Sequence, residues 1–98
     1  MSMYEVDEQS FQGFIRVQGV TLVEIGASWC PPCKALLPIL DELDHQYGEQ
    51  VTVLQVDCDD SPAIASEYRV MSMPTVMMFH NGEPVEKLIG LRLLHFFW

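Results

Sequence analysis

Basic side chains are scarce in this sequence. Five lysines and arginines stand against fourteen aspartates and glutamates over 98 residues, a formal net charge of −9. The five, Arg16, Lys34, Arg69, Lys87 and Arg92, are scattered along the chain. Nucleic acid is bound by clustered cations that neutralise phosphates, so this distribution argues against nucleic acid as a partner. The acidic balance itself reads as a solubility feature. Long apolar runs are missing as well. Nothing approaches the roughly 18 to 20 apolar residues that a membrane span needs. The opening stretch MSMYEVDEQS is acidic where a secretory signal is basic, and no apolar core of such a signal follows it. These features lead us to expect a cytoplasmic protein with no membrane partner. Repeats, linkers and low-complexity segments are also lacking, which leaves one domain over residues 1–98, large enough for a core but with little surplus stability. Cysteine is rare, three residues in all. An odd count is unsuited to a disulfide-stapled scaffold, and thiols in the cytoplasm are kept reduced.

Hydrophobic patterning organises what is present. Val6, Ser10, Phe11, Phe14 and Ile15 follow a 3.6-residue period, which predicts a short helix within 5–17, weakened by Gly13. VTLVEIGA (20–27) reads as a buried strand with one oddity, the carboxylate of Glu24. A helix is expected from Pro31 or Pro32 to about Tyr47, with Gly48 as a left-handed cap. VTVLQVDCD (51–59) reads as a β-branched strand. Ser61 is the expected cap of a short helix that opens on Pro62 and runs to about Tyr68. TVMMFH (75–80) and PVEKLIG (84–90) read as strands joined through Asn81-Gly82, a strong hairpin signal. The order predicts an α/β protein with a mixed sheet of about four strands and helices on both faces.

The stretch ASWCPPCKALLPIL (27–40) carries the chemistry. Cys30 falls where a strand's carboxyl end meets a helix N-terminus, the place where α/β sheets put their sites. The thiolate is the form that attacks a disulfide, and a helix N-terminus stabilises an anion through its free N–H groups and dipole. This makes Cys30 the expected exposed attacker. Cys33, one turn further on and facing the protein, is the expected resolving thiol. Prolines suit the opening positions of a helix, where no N–H is needed, but Pro31 and Pro32 then offer no hydrogen bond to the sulfur. Glu24 is costly in a buried strand unless neutralised, and desolvation raises its pKa toward the range useful to an acid or base near pH 7. A zinc site would need a second ligand pair, which Cys58, His45, His80 and His95 do not form.

VEIGASWCPPCKALLPIL, MSMPTVMMFHNGE and the late Gly90 together resemble the thioredoxin family, the reference case of Cys-X-X-Cys chemistry, across about residues 10 to 92. The resemblance rests on Trp-Cys-X-Pro-Cys-Lys, Pro38 five residues after Cys33, Met-Pro-Thr some forty residues on, and Asn-Gly before the last strand. It implies a three-layer thioredoxin-like fold and a dithiol–disulfide oxidoreductase with catalytic residues Cys30, Cys33 and Glu24. Trp29, Pro31, Met73 and Pro74 become the substrate-docking surface, with Pro74 in the cis form. It implies no metal or organic cofactor, protein disulfides as substrates, and an external reductase, flavin-dependent if the protein acts reductively. Pro38 corresponds to the family's kinking helix proline, and Glu24 to its buried strand carboxylate, usually Asp.

The sequence departs from the family at four places. LRLLHFFW (91–98) replaces a C-terminal helix, so that helix is truncated or absent, and the apolar tail points to a homodimer or a tucked end. Gly26 stands where an aromatic is common, which leaves more room near the site. Pro31 stands where glycine is typical, so the reduction potential does not carry over. Val53 stands where some members carry a lysine near the buried acid. Two other readings remain open here: a binding module whose dithiol is incidental, and a redox-sensing subunit that assembles through the tail. Cys58 reads as a small residue at a strand end.

Overall fold

The strand Val20–Gly26 (β2) is apolar on both sides apart from Thr21 and Glu24, and six of its seven residues are buried. A run of this kind suits only a central strand, covered on both faces. In the computed structural model, which describes residues 4–15 and 18–89, it takes that place. Two further strands, Tyr4–Glu5 (β1) and Val51–Asp57 (β3), lie on one side of it, and Thr75–His80 (β4) and Glu83–Ile89 (β5) on the other. The sheet order is β1-β3-β2-β4-β5, with β1 and β3 parallel to their neighbours and β4 and β5 antiparallel.

Helices Glu8–Ile15 (α1), Pro31–Tyr47 (α2) and Pro62–Glu67 (α3) cover the two faces. Phe11 and Ile15 of α1 and Ile64 of α3 pack with Val23, Ile25, Leu54, Val56, Met77 and Phe79. Edge-to-face contacts among Phe11, Tyr68 and Phe79 hold that side together. Leu36 and Leu40 of α2 pack with Leu22, Val53 and Val76 on the opposite face. Val53 therefore belongs to the apolar layer under α2.

Several expectations are corrected. The sheet has five strands, not about four, because Asp7 starts the first helix later than periodicity suggests. Its Oδ1 accepts hydrogen bonds from the backbone N–H groups of Gln9 and Ser10, while its own N–H donates to Ser10 Oγ. That box caps the helix at Glu8 and frees Tyr4 and Glu5 to pair with Leu54 and Gln55. Gly48 is right-handed (φ −60°, ψ −18°) and not a left-handed cap. The chain instead continues through a turn closed by Gln50 N–H donating to the Tyr47 carbonyl (2.8 Å). Ser61 precedes α3 as expected, but its hydroxyl caps nothing and is buried without a partner. The carboxylate of Glu8 takes over, accepting from Ala63 N–H at 2.7 Å. Arg16, Gly90 and the tail 91–98, with the expectations of a truncated helix and a homodimer, lie outside the described residues.

The hairpin behaves as its dipeptide predicts. Asn81 (φ 51°) and Gly82 (φ 89°) both take positive φ. Asn81 Oδ1 also accepts from Gly19 N–H at 2.7 Å. Gly82→Ala is expected to lower stability by about 1–2 kcal/mol, the cost of a Cβ in left-handed backbone. Denaturant unfolding checks this, and an unchanged midpoint refutes it. Pro84 sits in the edge strand β5, where its missing N–H costs least. Lys87 Nζ of the same strand donates to the carbonyls of Tyr68 and Arg69, just beyond α3. Among the described residues no helix is long and apolar enough to cross a membrane.

Candidate active site

Three segments converge where β2 ends. The end of β2 leads through Ala27, Ser28 and Trp29 into Cys30, the N-cap of α2. β3, parallel to β2, ends beside it in the turn Asp57–Asp60. The loop before β4 brings Met73 and Pro74, whose peptide bond is cis. Thr75, fully buried, anchors that loop by donating from Oγ1 to the Ser72 carbonyl (2.7 Å).

Cys30 and Cys33 form a disulfide across the first turn of α2, with Cα atoms 5.3 Å apart. Pro31 and Pro32 occupy the first two helical positions, so neither supplies an N–H. The Cys33 amide is left as the donor to Cys30 Sγ, at 3.3 Å. The arrangement can hold charge on Cys30 Sγ: one N–H points at it, and the dipole of a 17-residue helix ends there. The expectation that Cys30 is exposed is not met in the oxidised form, where Cys30 is 5 % and Cys33 3 % accessible. Ala27, Met73 and Cys58 pack around the pair.

Trp29 is the exposed element, 63 % accessible beside the buried disulfide. It is nonetheless fixed, since its indole N–H donates to Asp59 Oδ2 at 2.8 Å. Pro31 is exposed, Met73 half-buried and Pro74 buried.

On the inner side, Glu24 is 2 % accessible, and its Oε2 has no hydrogen-bond partner. Burial, with a smaller contribution from the Asp57 carboxylate, pushes its pKa up to about 7. Its other oxygen lies against the Cα of Gly26, as does the Cys33 sulfur. A cavity of about 280 Å³ runs along this group, lined by Glu24, Gly26, Cys33, Lys34, Gln55 and Asp57. Gly26 lines this cavity, but the space that a side chain at 26 would take is filled by Glu24 and Cys33.

Sequence reasoning missed Asp57 and Asp59. One raises the Glu24 pKa and the other holds Trp29. The available signal was their place at the carboxyl end of the strand next to β2, the same rule that located Cys30. Cys58, between them, has its Sγ 3.6 Å from Met73 Sδ. Burial first, then Asp59 and Asp57, push its thiol above the ordinary value, so it is a poor nucleophile near neutral pH. Asp57, Cys58 and Asp59 also bring one ligand atom each within 4.8 Å of one another. A thiol whose pKa is raised, in a partly buried acidic turn, makes a weak metal ligand set.

A mixed sheet between helical layers, with a vicinal dithiol at a helix N-terminus and a cis-proline loop beside it, defines a thiol–disulfide oxidoreductase. Comparison with known proteins agrees. Residues 2–95 match the Thioredoxin family model. The thioredoxin of Staphylococcus epidermidis is 40 % identical over 92 residues, which cover 94 % of this chain and 88 % of the relative. That of Staphylococcus aureus is 38 % identical over the same coverage. Among solved structures, Plasmodium falciparum thioredoxin superposes with a TM-score of 0.88 at 26 % identity, covering 97 % of this chain and 96 % of that one. Oxidised mitochondrial thioredoxin 3 of Saccharomyces cerevisiae gives 0.83 at 31 % identity, covering 90 % and 83 %. The chain belongs to the thioredoxin family and is an oxidoreductase with a redox-active cysteine pair.

Proposed function

We propose that the protein reduces or exchanges protein disulfides through Cys30-Pro31-Pro32-Cys33. In the reduced form the Cys30 thiolate, held by the Cys33 N–H and the helix dipole, attacks one sulfur of a substrate disulfide. A Cys30–substrate disulfide forms and the other substrate sulfur leaves as thiolate, which takes a proton from water. Cys33 then gives its proton to the Glu24 carboxylate and attacks Cys30 Sγ. This closes the Cys30–Cys33 bond, and the second substrate sulfur leaves as thiolate, which takes a proton from water. Two electrons have passed to the substrate, and an external reductase returns them. Trp29, Pro31 and the Met73–Pro74 backbone form the surface on which the substrate segment docks, and the setting is the cytoplasm, where thiols are held reduced.

The observation that carries this reading is the asymmetry of the pair. Cys30 directly follows the exposed Trp29, whereas Cys33 lines the same cavity as Glu24, a buried carboxyl group whose pKa is pushed up to about 7. The test is equilibration of the protein against glutathione buffers, with intact mass read at each poise. The expected result is a two-electron transition confined to Cys30 and Cys33, with Cys58 remaining a thiol. A strongly reducing midpoint marks a reductant, and a much more oxidising one marks an isomerase or oxidant. If no intramolecular disulfide forms at any poise, the reading fails.

A further inference from the structure

Glycine at position 26 has no backbone justification. Its φ lies outside the left-handed region, so an L-residue could adopt the same conformation. What a side chain at position 26 would meet is its neighbours, which would have to shift. Residues two apart on a strand point to the same face, so a Cβ at 26 would stand beside the Glu24 side chain. It would overlap Glu24 Oε1 outright, and would come to 3.0 Å from Cys33 Sγ and 3.1 Å from Cys33 Cβ. By contrast, a Cβ at Gly13 or Gly19 would meet nothing within 4 Å.

We infer that Gly26 is a positioning residue for disulfide exchange: the missing side chain leaves the space through which the Glu24 carboxyl reaches the Cys33 sulfur. The inference rests on the proton-accepting role given to Glu24 above. If a Cβ is introduced, the group that yields is the end of the flexible glutamate, because Cys33 is held by the first turn of α2 and by its packing against Ala27 and Cys30. The carboxyl then retreats into the cavity. The charged and titratable groups around it there are Asp57 of β3, Lys34 and Cys33 of α2, and Glu5 of β1. A glutamate at 24 and a glycine at 26 thus form a matched pair, in which the longer acid uses the volume that the missing side chain vacates.

The test follows resolution of a mixed disulfide between Cys30 and 5-thio-2-nitrobenzoate, in which Cys33 attacks Cys30 and the coloured thiolate leaves. Rates are taken from about pH 5 to about pH 9, spanning the ordinary range of a tuned acid or base. The wild-type rate is expected to rise through a step near pH 7, where Glu24 titrates. Gly26→Ala is expected to slow resolution at least about tenfold at neutral pH and to flatten that step, as loss of a positioned base does. In a Glu24→Asp background the carboxyl already stands one methylene back, so adding Gly26→Ala should change the rate less than about twofold, a coupling that independent sites do not show. If Gly26→Ala alone fails to fold, folding of the Glu24→Asp/Gly26→Ala pair supports the clash with Glu24.

Two results overturn the inference and leave the Glu24 role intact. One is a Gly26→Ala profile equal to wild type. The other is equal slowing by Gly26→Ala in the wild-type and Glu24→Asp backgrounds. If Glu24→Gln keeps the wild-type step, the role of Glu24 falls, and the inference with it.

Discussion

Cys33→Ser is expected to turn the protein from a catalyst into a trap. Attack by Cys30 needs only the helix N-terminus and the single N–H of residue 33, both of which the serine retains. Release needs a second thiol one turn away, which serine does not supply. Incubation of the reduced variant with a disulfide-containing protein should therefore accumulate a covalent adduct through Cys30, visible by non-reducing electrophoresis and intact mass. Turnover with dithiothreitol as electron source should fall at least about a thousandfold, as when a covalent nucleophile is removed. Cys30→Ser should lose both turnover and the adduct, because Cys33 lies within the first turn of α2 and lines the cavity with Glu24. An adduct formed through Cys33 in that variant would reverse the two roles. Normal turnover by either variant would end the dithiol mechanism.

Glu24→Gln should stabilise the fold at alkaline pH and do little at acid pH. The folded pKa of Glu24 is about 7, against an ordinary 4.5. The folded state therefore keeps the proton over a window in which the unfolded chain has released it. Stability rises with pH only where the unfolded state binds more protons. Here the folded state binds more, so Glu24 makes stability fall as pH rises from about 4.5 through about 7, and the loss is complete above that. The separation between the two values corresponds to about 3 kcal/mol. The amide does not titrate, so the difference in unfolding free energy between Glu24→Gln and wild type should grow by about that amount between about pH 4.5 and about pH 8. Denaturant titrations at several pH values measure it. A difference that stays constant across the range shows that Glu24 does not titrate there in the folded protein. Burial of this acid lowers stability above its ordinary pKa, and under the proposed mechanism the same burial tunes the proton acceptor for Cys33, the kind of trade that active sites commonly make.

Where the sequence could be read, the signals were local and independent of one another. That β2 is buried followed from its mostly apolar run, and the hairpin from Asn81-Gly82, whose positive φ values only such residues adopt readily. Cys30, Cys33 and the two prolines declared a helix N-terminus, because the chemistry and the helix-start rules favour the same residues there. The first strand was hidden for the opposite reason. Two residues are too few for a period, and Tyr4–Glu5 becomes a strand only because β3 offers an unpaired edge. The cap of α3 was hidden too, since Ser61 satisfies the local rule while the acceptor comes from Glu8, 55 positions before the Ala63 N–H that it binds. Periodicity sees neighbours along the chain and is blind to donors and acceptors that arrive from another element.

Residue type and short spacing were enough to give the kind of chemistry and its address: two thiols three residues apart at the mouth of a helix, and one carboxylate in an apolar strand. Helix-terminus electrostatics and the cost of burying a charge act over a few residues, so both can be read along the chain. How the parts meet was a matter for the packed layers. Setting β3 parallel to β2 brought Asp57 to Glu24 and Asp59 to Trp29, and it is the close fit of α2 on β2 that puts the Glu24 oxygen and the Cys33 sulfur against the same bare Cα of Gly26. Those contacts join segments that lie far apart in the chain or meet in a space left by a missing side chain. Both depend on how volumes are filled between layers, which residue order expresses only once the chain has folded.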